Sequence, residues 1–146
     1  MLRTSAPDVY GAGDVVCQSH PFYGAHLHVE HWAVALNQGP AAARAMLGRG
    51  EPYRRLPYFY SDQYDLGLEY LGRARSWDRL VVRGDLASRE FVGFYVVDDR
   101  VSAGIAVSVW DTVEPLRALI ESRSSVPDAV LADPRTPLTE LAAASG

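Results

Sequence analysis

Residues 30–47 read EHWAVALNQGPAAARAML, and this stretch has the periodicity of an amphipathic helix. Apolar or small residues recur along it at intervals of three and four, which places them on one helical face. That face comprises Trp32, Ala35, Leu36, Gly39, Ala43, Met46 and Leu47. We expect it to pack in the core. Because proline cannot donate a hydrogen bond to the carbonyl four residues back, Pro40 predicts a kink, or two helices that meet there.

A locally basic segment follows this helix. Gly48 and Gly50 are expected to end the helix, because glycine readily adopts the backbone conformations found at helix C-termini. Four arginines occur between residues 44 and 55, namely Arg44, Arg49, Arg54 and Arg55. The simplest interpretation is a solvent-exposed basic rim.

Length, charge and cysteine content limit the class of protein. The 146 residues suffice for one domain with its own core. The net charge of -4 argues against nucleic-acid binding. A single cysteine, Cys17, excludes a disulfide within the chain and is typical of a reducing compartment, so we expect a cytoplasmic location. No run of about 18 apolar residues occurs, so no membrane-spanning segment is predicted.

A short strand and a glycine turn precede the helix. Val9–Tyr10 followed by Gly11 predicts a very short strand that ends in a tight bend. Such a strand needs neighbours, which suggests that a preceding part of a larger sheet is missing. Gly11 and Gly13 match two glycines of the dinucleotide-binding fingerprint, but Val16 stands where the third is required, so no complete Rossmann site is predicted. Residues 15–29 are predicted to form a loop.

Histidines in and after this loop supply residue types found in metal sites. His26, His28 and Glu30 would share a face only if the segment were extended, and His31 would then point away. The spacing matches no strong zinc signature, so solvated loop histidines are the simpler interpretation and no metal ligand is predicted. A small metalloprotein using His26, His28 and His31 is the weakest functional hypothesis.

From residue 56 the pattern changes to that of β-strands. Residues 66–71 alternate with the spacing of a strand, and residues 79–83, 91–97 and 101–109 are further strand segments rich in Val, Phe and Tyr. Asp98–Arg100 is predicted to be a hairpin turn, with Asp99 at a position that favours glycine. Residues 113–120 have apolar side chains at helical spacing and are predicted to form a helix, and residues 128–131 are predicted to form a shorter one. The sequence therefore predicts an α+β fold, in which an antiparallel sheet of three to four strands carries helices on one face and follows a short strand and a long helix.

Residues 4–14, TSAPDVYGAGD, resemble the second flavin-binding segment of flavoproteins with two dinucleotide-binding domains, whose usual form is T-s-x-P-x-I-y-A-a-G-D. Further segments follow in the order found in the C-terminal part of NADH-dependent ferredoxin reductases that serve oxygenases and cytochromes P450. These segments are Glu30–Ala33, Asn37–Gly39, Ala42–Ala43 and residues 57–64, PYFYSDQY. Over nearly its whole length, the chain resembles the C-terminal segment of FAD-dependent reductases of the rubredoxin and putidaredoxin type, within the superfamily related to pyridine nucleotide-disulfide oxidoreductases.

The resemblance implies a cofactor site for FAD. In this family the aspartate at the position of Asp14, which follows Gly13, hydrogen-bonds the ribityl chain of FAD. The residue matching Trp32 presents its backbone N–H toward the pyrimidine edge of the flavin, and His31 and Trp32 line the ring. The implied cofactor-binding residues are therefore Gly13, Asp14, His31 and Trp32, and no catalytic residue is implied.

The resemblance also implies that the chain is a segment of a longer protein. The glycine-rich fingerprints for FAD and NAD precede the matching region in the family and are absent here. Residues 1–50 are thus expected to be the end of an FAD-binding domain, and residues 51–146 a reductase C-terminal domain. In the complete enzyme electrons would pass from NAD(P)H through FAD to a ferredoxin-type iron–sulfur protein. The chain alone is expected to bind FAD weakly or not at all and to be inactive; the alternative is a non-enzymatic module that forms homodimers.

Overall fold

The computed structural model describes residues 2–143, and the chain forms two compact units, Met1–Phe59 and Tyr60–Gly146. The first unit contains a two-stranded sheet and one long helix, and the second contains most of a five-stranded sheet with shorter helices. Among the described residues, no helix combines the length and the apolar character needed to cross a membrane.

A β-hairpin occupies the segment that was predicted to be a loop. Strands β1 (Cys17–His20) and β2 (Ala25–His28) pair antiparallel, with Cys17 opposite His28. The prediction was wrong because polar residues fill most strand positions and hide the alternation. Only His20 and Leu27 are buried, and they lie on the hairpin's inner face. The short strand predicted at Val9–Tyr10 is present as a single bridge between Arg3 and Tyr10.

One continuous helix, α1 (Trp32–Met46), runs through Pro40. The prediction of two helices meeting at this proline is therefore wrong. The ring of proline holds φ near its helical value. Because proline has no N–H, the Leu36 carbonyl lacks its hydrogen-bond donor within the helix. Both Leu36 and Pro40 are exposed, so water can satisfy this carbonyl and the helix continues.

The buried face of α1 differs from the predicted one. Its buried residues are Val34, Gln38, Ala42 and Ala45. The face predicted to be in the core is exposed instead. The exposed fraction is 70% for Trp32 and 72% for Leu47. Both stripes satisfy a spacing of three and four residues, because the helix is rich in alanine on most sides. Periodicity therefore cannot select between the two stripes.

The second sheet confirms the α+β class. It consists of β3 (Tyr58–Gln63), β4 (Leu66–Gly72), β5 (Arg79–Asp85), β6 (Glu90–Val97) and β7 (Arg100–Val107), in the order β3-β4-β7-β6-β5. It has five strands where three to four were predicted, because the aromatic segment that begins at Tyr58 is itself a strand. The turn between β6 and β7 places Asp98 and Asp99 at positive φ, 48° and 61°. This agrees with the hairpin expected there.

Helix α2 (Val113–Ser122) lies across β4 and β7, as predicted. Leu116, Leu119 and Ile120 form its buried stripe. Gly104 permits the close approach, because a Cβ atom at that position would lie 2.7 Å from Leu116 Cδ2. Phe94 is fully buried in the same unit. The sheet and α2 therefore form a core in which a glycine fixes the distance between helix and strand.

Two arginines of β5 attach the last part of the chain to the sheet. Helix α3 (Asp128–Ala132) begins at Asp128. The Asp128 carboxylate accepts hydrogen bonds from Arg79 Nε at 2.7 Å and from Arg79 Nη2 at 2.9 Å. Arg79 also binds Asp99 in the β6–β7 turn. Arg83 donates to the carbonyl of Thr136, and its burial lowers the pKa of the guanidinium group. A 3₁₀ helix at Leu138–Glu140 follows.

We expect Leu116→Ala to destabilise the protein by about 2–5 kcal/mol, because Leu116 is only 2% exposed and its truncation leaves a cavity above Gly104. Chemical denaturation measures the change in the free energy of unfolding. Leu86→Ala is the matched control, since Leu86 is 59% exposed and its truncation should cost less than about 0.5 kcal/mol. Equal losses in the two variants would contradict this packing.

Candidate functional site

The residues implied by the resemblance all lie in the first unit, around the first turns of α1. Gly13 and Asp14 form the turn before β1, His31 precedes α1, and Trp32 is the first residue of the helix. Gly13 has a φ of +80°, and a Cβ atom there would lie 3.4 Å from the Ala35 Cβ. The glycine turn therefore packs directly on the beginning of the helix, which brings sequence-distant residues together.

A buried amide holds this turn in place. Gln38 is 2% exposed, and its Oε1 accepts a hydrogen bond from the Gly13 N–H at 2.8 Å. Its Nε2 donates to Gln18 Oε1 at 2.8 Å, which adds β1 to the same network. Sequence reasoning assigned no role to Gln38. The presence of a glutamine in an alanine-rich helix could have indicated a buried hydrogen-bonding side chain.

Asp14 presents an available carboxylate. The residue is exposed, and within residues 2–143 its side chain makes no hydrogen bond or ion pair. Its backbone carbonyl is engaged, because His28 Nε2 lies 2.5 Å away and donates to it. The backbone is therefore held by the hairpin while the carboxylate is free to accept hydrogen bonds from a ligand hydroxyl.

The N-terminus of α1 offers unused donors. The carbonyl of His31 accepts from the N–H groups of Val34 at 2.9 Å and Ala35 at 3.2 Å. In the part of the chain that the structure describes, no side chain caps this end and no acidic residue lies in its first turn. The N–H groups of Trp32 and Ala33 thus point out of a helix end that carries partial positive charge. This end can bind an electron-rich edge of a ligand.

The His31 ring is half-buried beside an aromatic residue. Its centroid lies 5.0 Å from that of Phe59, at an interplanar angle of 61°. Burial lowers the pKa of His31, and the backbone of Tyr58 and the charge of Asp14 oppose this only in part. The lowered pKa favours the neutral form of the ring. Phe59 was not among the implied site residues, and its place beside His31 depends on the tertiary fold.

The structure does not bring the histidines into a metal site. Among residues 2–143, no three His, Cys, Asp or Glu side chains are grouped so that they could hold a metal ion. His26 and His28 lie on the outer face of the hairpin, and His28 is engaged with the carbonyl of Asp14. The hypothesis of a metalloprotein using His26, His28 and His31 therefore gains no support from the described residues.

Comparison with known proteins identifies the family. Residues 58–142 match the model of the family described as Reductase C-terminal, and the chain belongs to this family. The ferredoxin–NAD(+) reductase component of the anthranilate 1,2-dioxygenase system of Burkholderia cepacia is 37% identical over 133 residues, which are 90% of this chain and 33% of the relative. Putidaredoxin reductase of Pseudomonas putida is 32% identical over 144 residues, 99% of this chain and 34% of that protein.

Solved structures agree with this assignment. The covalent putidaredoxin reductase–putidaredoxin complex matches with a TM-score of 0.89 at 32% identity, over 99% of this chain and 34% of that one. An FAD-dependent pyridine nucleotide-disulphide oxidoreductase from Desulfovibrio vulgaris matches with a TM-score of 0.73 at 16% identity, over 97% of this chain and 38% of that one, and shares the fold. The chain spans about a third of the length of the relatives it matches.

We expect Gln38→Leu to lower the free energy of unfolding by about 1–3 kcal/mol, because the buried Gly13 N–H and the Gln18 amide lose their partners. Thermal and chemical unfolding measure this loss. Gln63→Leu is the control, since Gln63 is exposed and its side chain donates an exposed 3.3 Å hydrogen bond to Ser61. A Gln38→Leu variant as stable as the control would show that the buried amide is dispensable.

We expect His31 to titrate below its ordinary pKa of 6.5. The folded protein then binds fewer protons at this ring than the unfolded chain, so stability is retained above about pH 6.5 and decreases as the pH falls below it. Asp14→Asn removes a charge that raises this pKa, so the His31 pKa should fall further, whereas Asp8→Asn should not change it. Proton–carbon NMR of the ring during a pH titration measures the midpoint, and a midpoint above 6.5 contradicts the expectation.

Proposed function

We propose that this chain is the C-terminal portion of a flavoprotein ferredoxin reductase that transfers electrons from NAD(P)H through FAD to a ferredoxin. The observation that carries this proposal is the extent of the similarity. Relatives named as ferredoxin reductases align over 90% and 99% of the chain at 37% and 32% identity, so the similarity includes both compact units. Residues 1–50 would then be the end of an FAD-binding domain, and residues 51–146 the reductase C-terminal domain.

The groups around the start of α1 are chemically suited to one flank of FAD. Asp14 offers an exposed, unpaired acceptor, which matches a ribityl hydroxyl. Gly13 has no Cβ and so keeps the turn close to the helix. The free N–H groups of Trp32 and Ala33 match the acceptor atoms at the pyrimidine edge of a flavin. These observations support Gly13, Asp14, His31 and Trp32 as cofactor-binding residues.

FAD, when bound, supplies the capacity to accept a hydride and to release electrons one at a time. The chain's own residues would tune its surroundings. The N-terminus of α1 would stabilise negative charge on the pyrimidine edge through the helix dipole. The lowered pKa of His31 favours its neutral form, so the favourable charge there would come from the backbone rather than from an imidazolium. The exposed Trp32 ring would cover the cofactor and exclude water.

The exposed face of α1 supports the proposal that this chain packs against other domains of a longer protein. Its large apolar side chains are Trp32, Leu36, Met46 and Leu47, each more than half exposed. Exposed apolar patches of this kind usually mark an interface. We propose that the remaining domains of the reductase cover this face. The same patch favours a second candidate, a module that forms homodimers, and light scattering of the chain over a concentration series separates the two, since a monomer at every concentration contradicts the dimer.

The proposed function is tested on the longer protein that carries this chain. It should bind one FAD and oxidise NAD(P)H when a ferredoxin is supplied, whereas the chain by itself should be colourless after desalting. Stoichiometric flavin and NADH oxidation by the chain alone would contradict the proposal, as would a longer protein without flavin.

Asp14→Asn should weaken FAD binding by the longer protein about tenfold, because a hydrogen bond to a charged acceptor contributes about 1.5–3 kcal/mol. Fluorescence titration of the apoprotein with FAD measures this. Asp8→Asn is the control, since Asp8 is also exposed and adopts positive φ, a conformation that asparagine tolerates. Equal affinities in the two variants would remove Asp14 from the site.

A further inference from the structure

A titratable ring lies at the end of α1 that is proposed to face the flavin. His31 precedes the helix, and its backbone carbonyl accepts hydrogen bonds from the N–H groups of Val34 and Ala35. Its ring contacts Phe59, with 5.0 Å between the ring centroids. The backbone and the side chain of His31 are thus both held, so the ring has a defined place beside the first turn of the helix.

One nitrogen of this ring is buried and unused. In the part of the chain that the structure describes, no hydrogen bond reaches the Nδ1 atom of His31. A neutral imidazole leaves one nitrogen as an acceptor, whereas an imidazolium carries a proton on both nitrogens and needs an acceptor for each. Burial therefore lowers the pKa of His31 and favours the neutral ring. A negative charge beside the ring would reverse this preference.

The charged groups around His31 act in opposite directions. Asp14 on the glycine turn raises the pKa of His31, and the backbone of Tyr58 on β3 raises it as well. Glu30 precedes His31 in the chain, and its carboxylate lies 4.0 Å from His28 Nε2. The N-terminus of α1 carries partial positive charge, which disfavours an imidazolium. A further negative charge within about 4–6 Å raises the proton affinity of such a group roughly ten- to thousandfold.

We propose that His31 takes up a proton when the bound flavin is reduced and releases it when the electrons leave, an inference that rests on the function proposed above. Reduction places negative charge on the pyrimidine edge of the flavin, which is the edge proposed to lie at the start of α1. The buried Nδ1 atom of His31 is the protein group suited to answer that charge, because it has no other partner among the described residues.

The electrons and protons of this step balance. Hydride transfer from NAD(P)H brings two electrons and one proton to the flavin and leaves NAD(P)+. The second proton comes from water and binds His31, so the flavin keeps its negative charge beside an imidazolium. Two ferredoxin molecules then accept one electron each, and both protons return to water. His31 thus holds a proton only while the flavin holds the electrons.

Proton uptake at His31 would make the flavin easier to reduce. Before reduction, the positive charge at this site comes from the N-terminus of α1, and after reduction the imidazolium adds to it. By linkage, any factor by which reduction raises the proton affinity of His31 is the factor by which the bound proton favours the reduced flavin. The reduction potential is therefore expected to fall when this ring is removed.

The other three histidines have different surroundings. His26 and His28 are exposed on the hairpin, and His28 donates to a backbone carbonyl. His20 is buried, with its Nε2 atom 2.9 Å from the carbonyl oxygen of Arg55. His31 is the histidine that adjoins the first residue of α1, so reduction of the flavin should change its protonation the most.

The first test counts protons in the longer, flavin-loaded protein. The pH dependence of the midpoint potential, measured near pH 7 by anaerobic spectroelectrochemistry, gives the number of protons taken up with two electrons. The wild type should take up two and His31→Gln only one, with a lower potential at pH 7. His26→Gln is the matched control, since His26 is exposed, and it should still take up two.

The second test observes the ring directly and needs no variant of His31. Proton–carbon NMR of the flavin-loaded protein, with labelled histidine, reports the protonation of His31 in the oxidised and the fully reduced states. Reduction should raise its proton affinity roughly ten- to thousandfold. Asp14→Asn should move the midpoints of both states to lower pH, because it removes a charge that favours the imidazolium, whereas Asp8→Asn should leave them unchanged.

A His31→Gln variant that still takes up two protons would overturn the inference, because the flavin itself would then hold the second one. A wild type that takes up only one proton would do the same. If His31→Gln retains no flavin, the NMR titration decides, and a ring that is equally neutral in both states refutes proton uptake. These results leave electron transfer intact. A longer protein that binds no FAD refutes the proposed function instead.

Discussion

The buried side chain of Gln38 joins three parts of the first unit that are distant in sequence. It accepts from the glycine turn at Gly13, donates to β1 at Gln18, and belongs to α1 itself. A buried amide of this kind is stable only when both of its ends are paired, because each unpaired polar group left behind costs free energy. The turn, the strand and the helix therefore hold one arrangement. Together with the bond from His28 to the Asp14 carbonyl, these contacts hold Gly13 and Asp14 near the start of α1.

The second unit depends on a different constraint, the close contact of α2 with the sheet. Gly104 leaves room for Leu116, whose neighbours Leu119 and Ile120 complete a dry layer against the strands. Burial of these apolar side chains stabilises the contact. In the first unit, hydrogen bonds of the buried Gln38 amide connect α1 to the glycine turn and to β1. In the second unit, close packing of Leu116 over Gly104 holds α2 on the sheet.

Local chemistry predicted much of the fold. The strands after residue 56, the aspartate turn at residues 98–99 and the stripe of α2 follow from alternation, turn preference and helical spacing. The β1–β2 hairpin did not, because its strands are short and polar on one face. The buried side of α1 also did not, because an alanine-rich helix has two stripes of equal periodicity and only tertiary contacts select one.

The candidate site was predicted from the resemblance to a family and not from local sequence patterns. Asp14, His31 and Trp32 were identified by resemblance, and the structure gathers them around one helix end, but their binding of FAD stays a proposal. Phe59 belongs to the aromatic stretch 57–64 that carries part of the resemblance, but its ring contact with His31 was not predicted. The role of Gln38 was not predicted either, because buried amides pair with residues far apart in sequence. Arg44, Arg49, Arg54 and Arg55 were visible only as a cluster in sequence, since their convergence on one cavity depends on how the chain turns after Met46.

The strand order of the larger sheet has a consequence for the path of folding. Strands β5, β6 and β7 are joined by short turns and pair with their immediate neighbours in sequence, so they can form from local contacts. Strand β4 pairs with β7 instead, and Leu68 meets Val107 only after the chain has closed a loop around the whole meander. Closing that loop costs entropy before any contact repays it. Pairing of the β3–β4 edge with β7 therefore carries the larger entropic cost of loop closure, whereas the pairings within the meander carry a smaller one.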